Sequence, residues 1–131
     1  MDTISIQTNT REELKDITAE IARLVKSRGY TNGVLTIYSP HTTAGITINE
    51  GADPSVVRDI IVNLRKLIPH KGDYQHLEGN SDAHIKTSLI GPSVQVIVED
   101  GKLCLGTWQK IFFAEFDGPR SRKVWVKWCG C

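Results

Sequence analysis

The stretch SVQVIVEDGKL, residues 93–103, decides the fold. Val94, Val96 and Val98 recur at every second position, the period of a strand with one buried face. Asp100-Gly101 follows at once. Such a pair favours a two-residue hairpin, because both positions tolerate the backbone that a tight reversal demands. A strand that reverses so sharply pairs antiparallel with its successor. Similar runs lie on either side. HIKTSLIG (84–91), KLCLGTWQKIFFAEF (102–116) and RKVWVKW (122–128) read as strands, with Asp117-Gly118-Pro119 as a further turn.

The first half adds helices. TISIQT (3–8) alternates as a strand. Thr10-Arg-Glu-Glu13 has the form of a capping box, and Leu14, Ile17, Ile21, Leu24 and Val25 follow at helical spacing. The spacing predicts a helix over 11–28, ended at Gly29. GVLTIYS (33–39) and GITINEG (45–51) read as strands. Asp53-Pro54 marks a helix start, Asp as cap and Pro in the first turn, and the periodicity runs on to Pro69. Residues 70–82 are polar, glycine-rich and long for a passive connection. The expectation is a single α+β domain over 1–131. It has a mostly antiparallel, sandwich-like sheet core and two main helices on one face.

With 16 basic and 15 acidic residues the net charge is +1, so no strong field collects nucleic acid or an anionic membrane. The longest apolar runs fall short of a bilayer span, and the N-terminus lacks the layout of a signal peptide. The expected location is the cytoplasm. Cys104 lies in an apolar stretch and reads as a buried thiol. Cys129 and Cys131 form CGC, which reads as a frayed tail over 129–131; a C-x-C pair could also help bind a soft metal.

Three groups of residues could carry chemistry. His41 sits in SPHTTAG, and His76 and His84 bracket LEGNSDA. Three imidazoles with an open position suit a divalent metal such as zinc, with Glu50 as a fourth ligand or general base and Asp82 orienting a histidine. Taken singly, a histidine is more often a surface or hydrogen-bonded residue than a ligand. His70, after Pro69, reads as exposed near a helix end. In GTWQKI (106–111), Trp108 and Gln109 could hold a planar heterocycle by stacking and hydrogen bonding; a β-bulge with a core tryptophan is the plainer alternative. In DGPRSR, Arg120 and Arg122 stand two apart, so in extended chain they share a side and could fork onto phosphate; ordinary ion pairing is the alternative. Phosphate-cradling loops, dinucleotide glycine motifs, serine-hydrolase elbows and paired CxxC motifs are absent.

Four segments together, HTTAGITINEGADPSV, HLEGNSDAHIKTSLIGPS, DGKLCLGTWQKI and FDGPRSRKVWV, resemble the YjbQ-like family, often labelled secondary thiamine-phosphate synthase. The resemblance runs to Trp128. It implies a homotrimer with sites near subunit boundaries and a metal-bearing cluster at His41, His76 and His84. It also implies the joining of a pyrimidine diphosphate to a thiazole phosphate with release of pyrophosphate. Arg120 and Arg122 would then face phosphate, and Trp108 and Gln109 a ring. A histidine trio favours zinc or another transition metal, whereas diphosphate chemistry usually recruits magnesium through carboxylates. Metal-assisted hydrolysis with Glu50 as base, and a non-catalytic trimeric binding module, remain as alternatives.

Overall fold

Asp100 and Gly101 both take left-handed backbone, φ 51° and 74°, and close the hairpin read from the sequence. Around it the computed structural model describes residues 1–131. In chain order the elements are β1 (Asp2–Gln7), β2 (Glu13–Asp16), α1 (Thr18–Arg28), β3 (Gly33–Tyr38), β4 (Ala44–Glu50) and α2 (Pro54–Leu67). Then come α3 (Ser81–Ile90), β5 (Ser93–Glu99), β6 (Lys102–Leu103), β7 (Gln109–Glu115) and β8 (Ser121–Gly130).

The strands form two sheets, ordered β1-β8-β3-β5-β6 and β2-β7-β4, and every pairing is antiparallel. Leu35, Ile37, Val96, Val98, Val124 and Val126 of the larger sheet meet Ile46, Ile111 and Phe113 of the smaller in one core. Ile17, Ile21 and Val25 bring α1 into that core. Phe112 and Ala114 point the other way, with Leu14, Ala83 and Phe116, into a second core. There Val57, Ile60, Ile61 and Leu64 of α2 and Ile90 of α3 pack on them. The middle of β7 is therefore buried on both faces, which is why Ile111–Ala114 reads as an unbroken apolar run.

Several expectations need correction. The first helix begins at Thr18, because 13–16 pairs as β2 with Phe112–Glu115. Glu13 does accept from Thr10 N at 3.0 Å, but at a turn before a strand, and the Thr10 hydroxyl donates to the Glu12 carbonyl instead. Residues 84–91 are not a strand but most of a third helix. Its buried positions include Asp82, Lys86 and Thr87, so polar residues mask the helical period. The helices do not share one face: α1 serves the first core, and α2 and α3 the second. The run 102–116 is two strands with a loop between, and Cys104 on that loop is exposed. The tail is not frayed: Cys129 pairs with Val34, Gly130 with Gly33, and Cys131 N donates to the Asn32 carbonyl at 2.9 Å. The start of α2 is as read, with Asp53 accepting from Ser55 N at 2.9 Å. No helix is long and apolar enough to cross a membrane.

Candidate active site

The loop before α3 folds back on itself. The Tyr74 hydroxyl donates to the Pro69 carbonyl at 2.5 Å, and His70 Nε2 lies 2.8 Å from the Gly79 carbonyl. This return brings His76 to His84 on the first turn of α3. Their rings lie edge to face with centroids 5.5 Å apart. They line a cavity of about 500 Å³ with Asp73, Tyr74, Gln75, Ser81 and Ile85. Glu78 stands 3.8 Å from His76 Nε2 and is largely exposed.

Behind His84 the helix is held by charge. Asp82 and Lys86 are wholly buried. Each lies two residues from His84, about 200° around the helix axis, so they take the opposite face. Arg11 forks onto Asp82 at 3.1 and 3.2 Å. Lys86 donates to Asp82 and to Glu12, both at 2.8 Å, and Arg65 of α2 reaches Glu12 at 2.9 Å. Burial pushes both carboxyls up; the hydrogen bonds overcome it and hold Asp82 and Glu12 below their usual range. Asp82 thus aims α3 as a whole. It does not orient a histidine directly, as the sequence reading expected.

His41 lies elsewhere. Its ring packs edge-on against Phe113, which faces the first core, whereas α3 covers the second. His41 Nε2 accepts from the Lys123 backbone N–H at 2.9 Å. A neutral imidazole has one lone pair, so its Nδ1 carries the proton and is a donor. Burial, aided by the nearby Arg122 guanidinium, lowers the His41 pKa below 6.5. No three His, Cys, Asp or Glu side chains converge within one chain. The histidine trio is therefore a pair plus one.

The two arginines differ in burial and in partners. Arg122 is buried, bonded to Glu115 through Nε at 2.8 Å and through Nη2, and to the Thr43 hydroxyl at 2.9 Å. Arg120 is exposed and bonds Asp117, whose carboxylate also accepts from Asn80 at the start of α3, at 2.9 Å. Glu50, Trp108 and Gln109 do meet: Glu50 pairs with Gln109, and Gly51 N donates to the Trp108 carbonyl at 2.9 Å. Trp108 is exposed rather than a core residue. The Gln109 amide oxygen closes the loop by accepting from Gly106 N at 2.8 Å. One Glu50 oxygen is buried with no hydrogen-bond partner. These three residues sit where β7 begins, while Asp117 and α3 sit where it ends. Six residues of extended chain, about 20 Å, separate the two ends.

Sequence reasoning missed Tyr74, Asp73, Gln75 and Ser81 of the cavity, and the charge cluster behind α3. The i, i+4 pair Asp82 and Lys86 was the available helix signal.

Fold and site together define a small α+β protein with a paired-histidine cavity at the head of a helix. The chain belongs to the family described as UPF0047 protein YjbQ-like, matched over residues 2–131. It is similar to UPF0047 protein MJ1081 of Methanocaldococcus jannaschii, 60% identical over 125 residues, covering 95% of this chain and 91% of that one. UPF0047 protein YugU of Bacillus subtilis is 49% identical, with 99% of each covered. Among solved structures, an uncharacterized conserved protein of the yjbq/upf0047 family from Clostridium acetobutylicum superposes with TM-score 0.96. Its identity is 55%, over 98% of this chain and 100% of that one. None of these names an activity.

Proposed function

We propose that the protein is a metal-dependent enzyme acting on a small phosphorylated or heterocyclic substrate, assembled as a homotrimer. The observation that supports this best is the His76–His84 pair, rings 5.5 Å apart, in a cavity of about 500 Å³. Two imidazoles fit one divalent transition metal, zinc by ligand type, but supply only half of a four-coordinate site. Further positions fall to water, substrate or an adjoining subunit. When bound, such an ion supplies charge for an anionic oxygen or for a bound water. Tyr74, Gln75 and Ser81 would orient the substrate by hydrogen bonding, and the Lys86 cluster would keep His84 aimed.

Trimer formation is the way this reading joins groups that one chain holds apart. Glu50, Trp108 and Gln109 would then serve a site from a neighbouring copy, with Trp108 stacking on a ring. Thiamine-phosphate synthesis from a pyrimidine diphosphate and a thiazole phosphate is the best named version. His41 admits a second reading. Its engaged Nε2 favours a donor role at Nδ1 toward a phosphate oxygen rather than a place in the metal's ligand set.

Metal analysis of chain purified without added metal, followed by turnover on a panel of phosphorylated metabolites including the two thiamine precursors, tests this. The expected result is bound transition metal, lost in His84→Ala, and turnover lost with it. Metal-free protein, or turnover unchanged in His84→Ala, would overturn the enzyme reading. Binding without turnover would favour a non-catalytic module.

A further inference from the structure

The CGC tail lies outside the cavity and has no part in the function proposed above. Its strand pairing changes what it can do. Inward positions of β8 are Val124 and Val126, both buried, so Cys129 and Cys131 fall on the outward side with Trp125 and Lys127. Both thiols are exposed and free. Backbone bonds to Asn32 and the Gly33–Gly130 pairing hold the segment extended. A Cβ on Gly33 would strike the Cys129 carbonyl, so a glycine there permits the close approach.

Two residues of extended chain separate the thiol-bearing carbons by about 6.6 Å. Two metal–thiolate bonds of about 2.3 Å span about 4.6 Å, which side chains leaning together can reach. No further donor completes a set: no three metal-ligating side chains converge. Cys104 donates its backbone N–H to Ile97, three strand spacings from Cys129, about 14 Å. Zinc and iron–sulfur sites call for four ligands and are not served. A soft, low-coordinate ion is.

We propose that Cys129 and Cys131 form a two-thiolate site for a soft monovalent metal ion, copper(I) by class. Binding forms two metal–sulfur bonds and releases both thiol protons, with no change in oxidation state, so retention rises with pH.

The test is titration of the reduced, metal-free full chain with copper(I) against bicinchoninate as competing chelator. One ion per chain is expected, held at least 100-fold more weakly in Cys129→Ser and in Cys131→Ser. Cys104→Ser and the His76→Ala/His84→Ala double variant should match the native chain, which separates this site from the cavity. Equal binding by a Cys129→Ser/Cys131→Ser double variant would overturn the proposal, as would half an ion per chain. X-ray absorption of the copper-loaded native chain gives a check free of substitutions. Two sulfur neighbours are expected; three or more sulfur or nitrogen neighbours would refute it.

Discussion

Replacing Lys86 by Met tests whether the charge cluster behind α3 holds the fold. The methionine keeps length and apolar stem but removes the ammonium. Asp82, with no exposure, then keeps only Arg11; Glu12, 6% exposed at its side chain, keeps only Arg65. Removing one partner of a buried ion pair costs about 3–5 kcal/mol. Each carboxylate here retains one arginine, so the lower end, about 3 kcal/mol, applies. At roughly 2.1 cal/mol/K per residue, unfolding 131 residues carries about 275 cal/mol/K, and the loss lowers Tm by roughly 11 °C. The deficit must depend on pH. Asp82 and Glu12 have lowered pKa values in the fold, so their contribution is complete above their ordinary values of 3.8 and 4.5. It is lost as pH falls through the lower folded values. Protonation also removes the uncompensated charge in the variant, so the deficit should shrink from about pH 4.5 downward and close only below the lowered folded values. Urea unfolding followed by circular dichroism, at one fixed chain concentration from pH 7 to pH 3, measures both. A deficit under 1 kcal/mol at pH 7, or one that stays constant with pH, would refute the reasoning.

The arginines should separate sharply. Arg122→Met strands Glu115, which is wholly buried, and should cost about 3–5 kcal/mol in the same assay, whereas Arg120→Ala should cost about 1 kcal/mol or less. Nitrogen NMR of the His41 ring should find the proton on Nδ1 and a titration midpoint below 6.5. Because that pKa is lowered, its contribution to stability is complete above 6.5 and is lost as pH falls through the folded value. A proton on Nε2 would remove the argument for a donor role.

Where apolar period and burial coincide, the sequence announces the structure. The Val94-Val96-Val98 alternation, the Asp100-Gly101 reversal, the Asp53-Pro54 start and Gly29 as a left-handed cap all stand as read. Residues 81–90 carry no helical apolar repeat because the buried side of α3 is ionic. Its pattern follows Arg11, Glu12 and Arg65, distant in sequence, rather than any apolar repeat. Leu14 misled for a related reason. It continues the apparent helical spacing of Ile17 and Ile21, yet it belongs to a strand facing the second core. His76 and His84 are legible as a pair because Gly79 and Asn80 between them announce a returning loop. The separation of His41 was not, since it depends on which face of the smaller sheet each element packs against.

Strand β7 sends successive side chains into different cores, and residues 111–116 are all buried. On β8 every second position opens to solvent, so about half its sites can drift. On β7 a change of size at any of these positions disturbs one packed layer or the other. The partition between the histidine pair on one side and His41 on the other is thus written in the stretch least free to vary. Rearrangements of the site should arise through loops and helix ends, not through the wall between them.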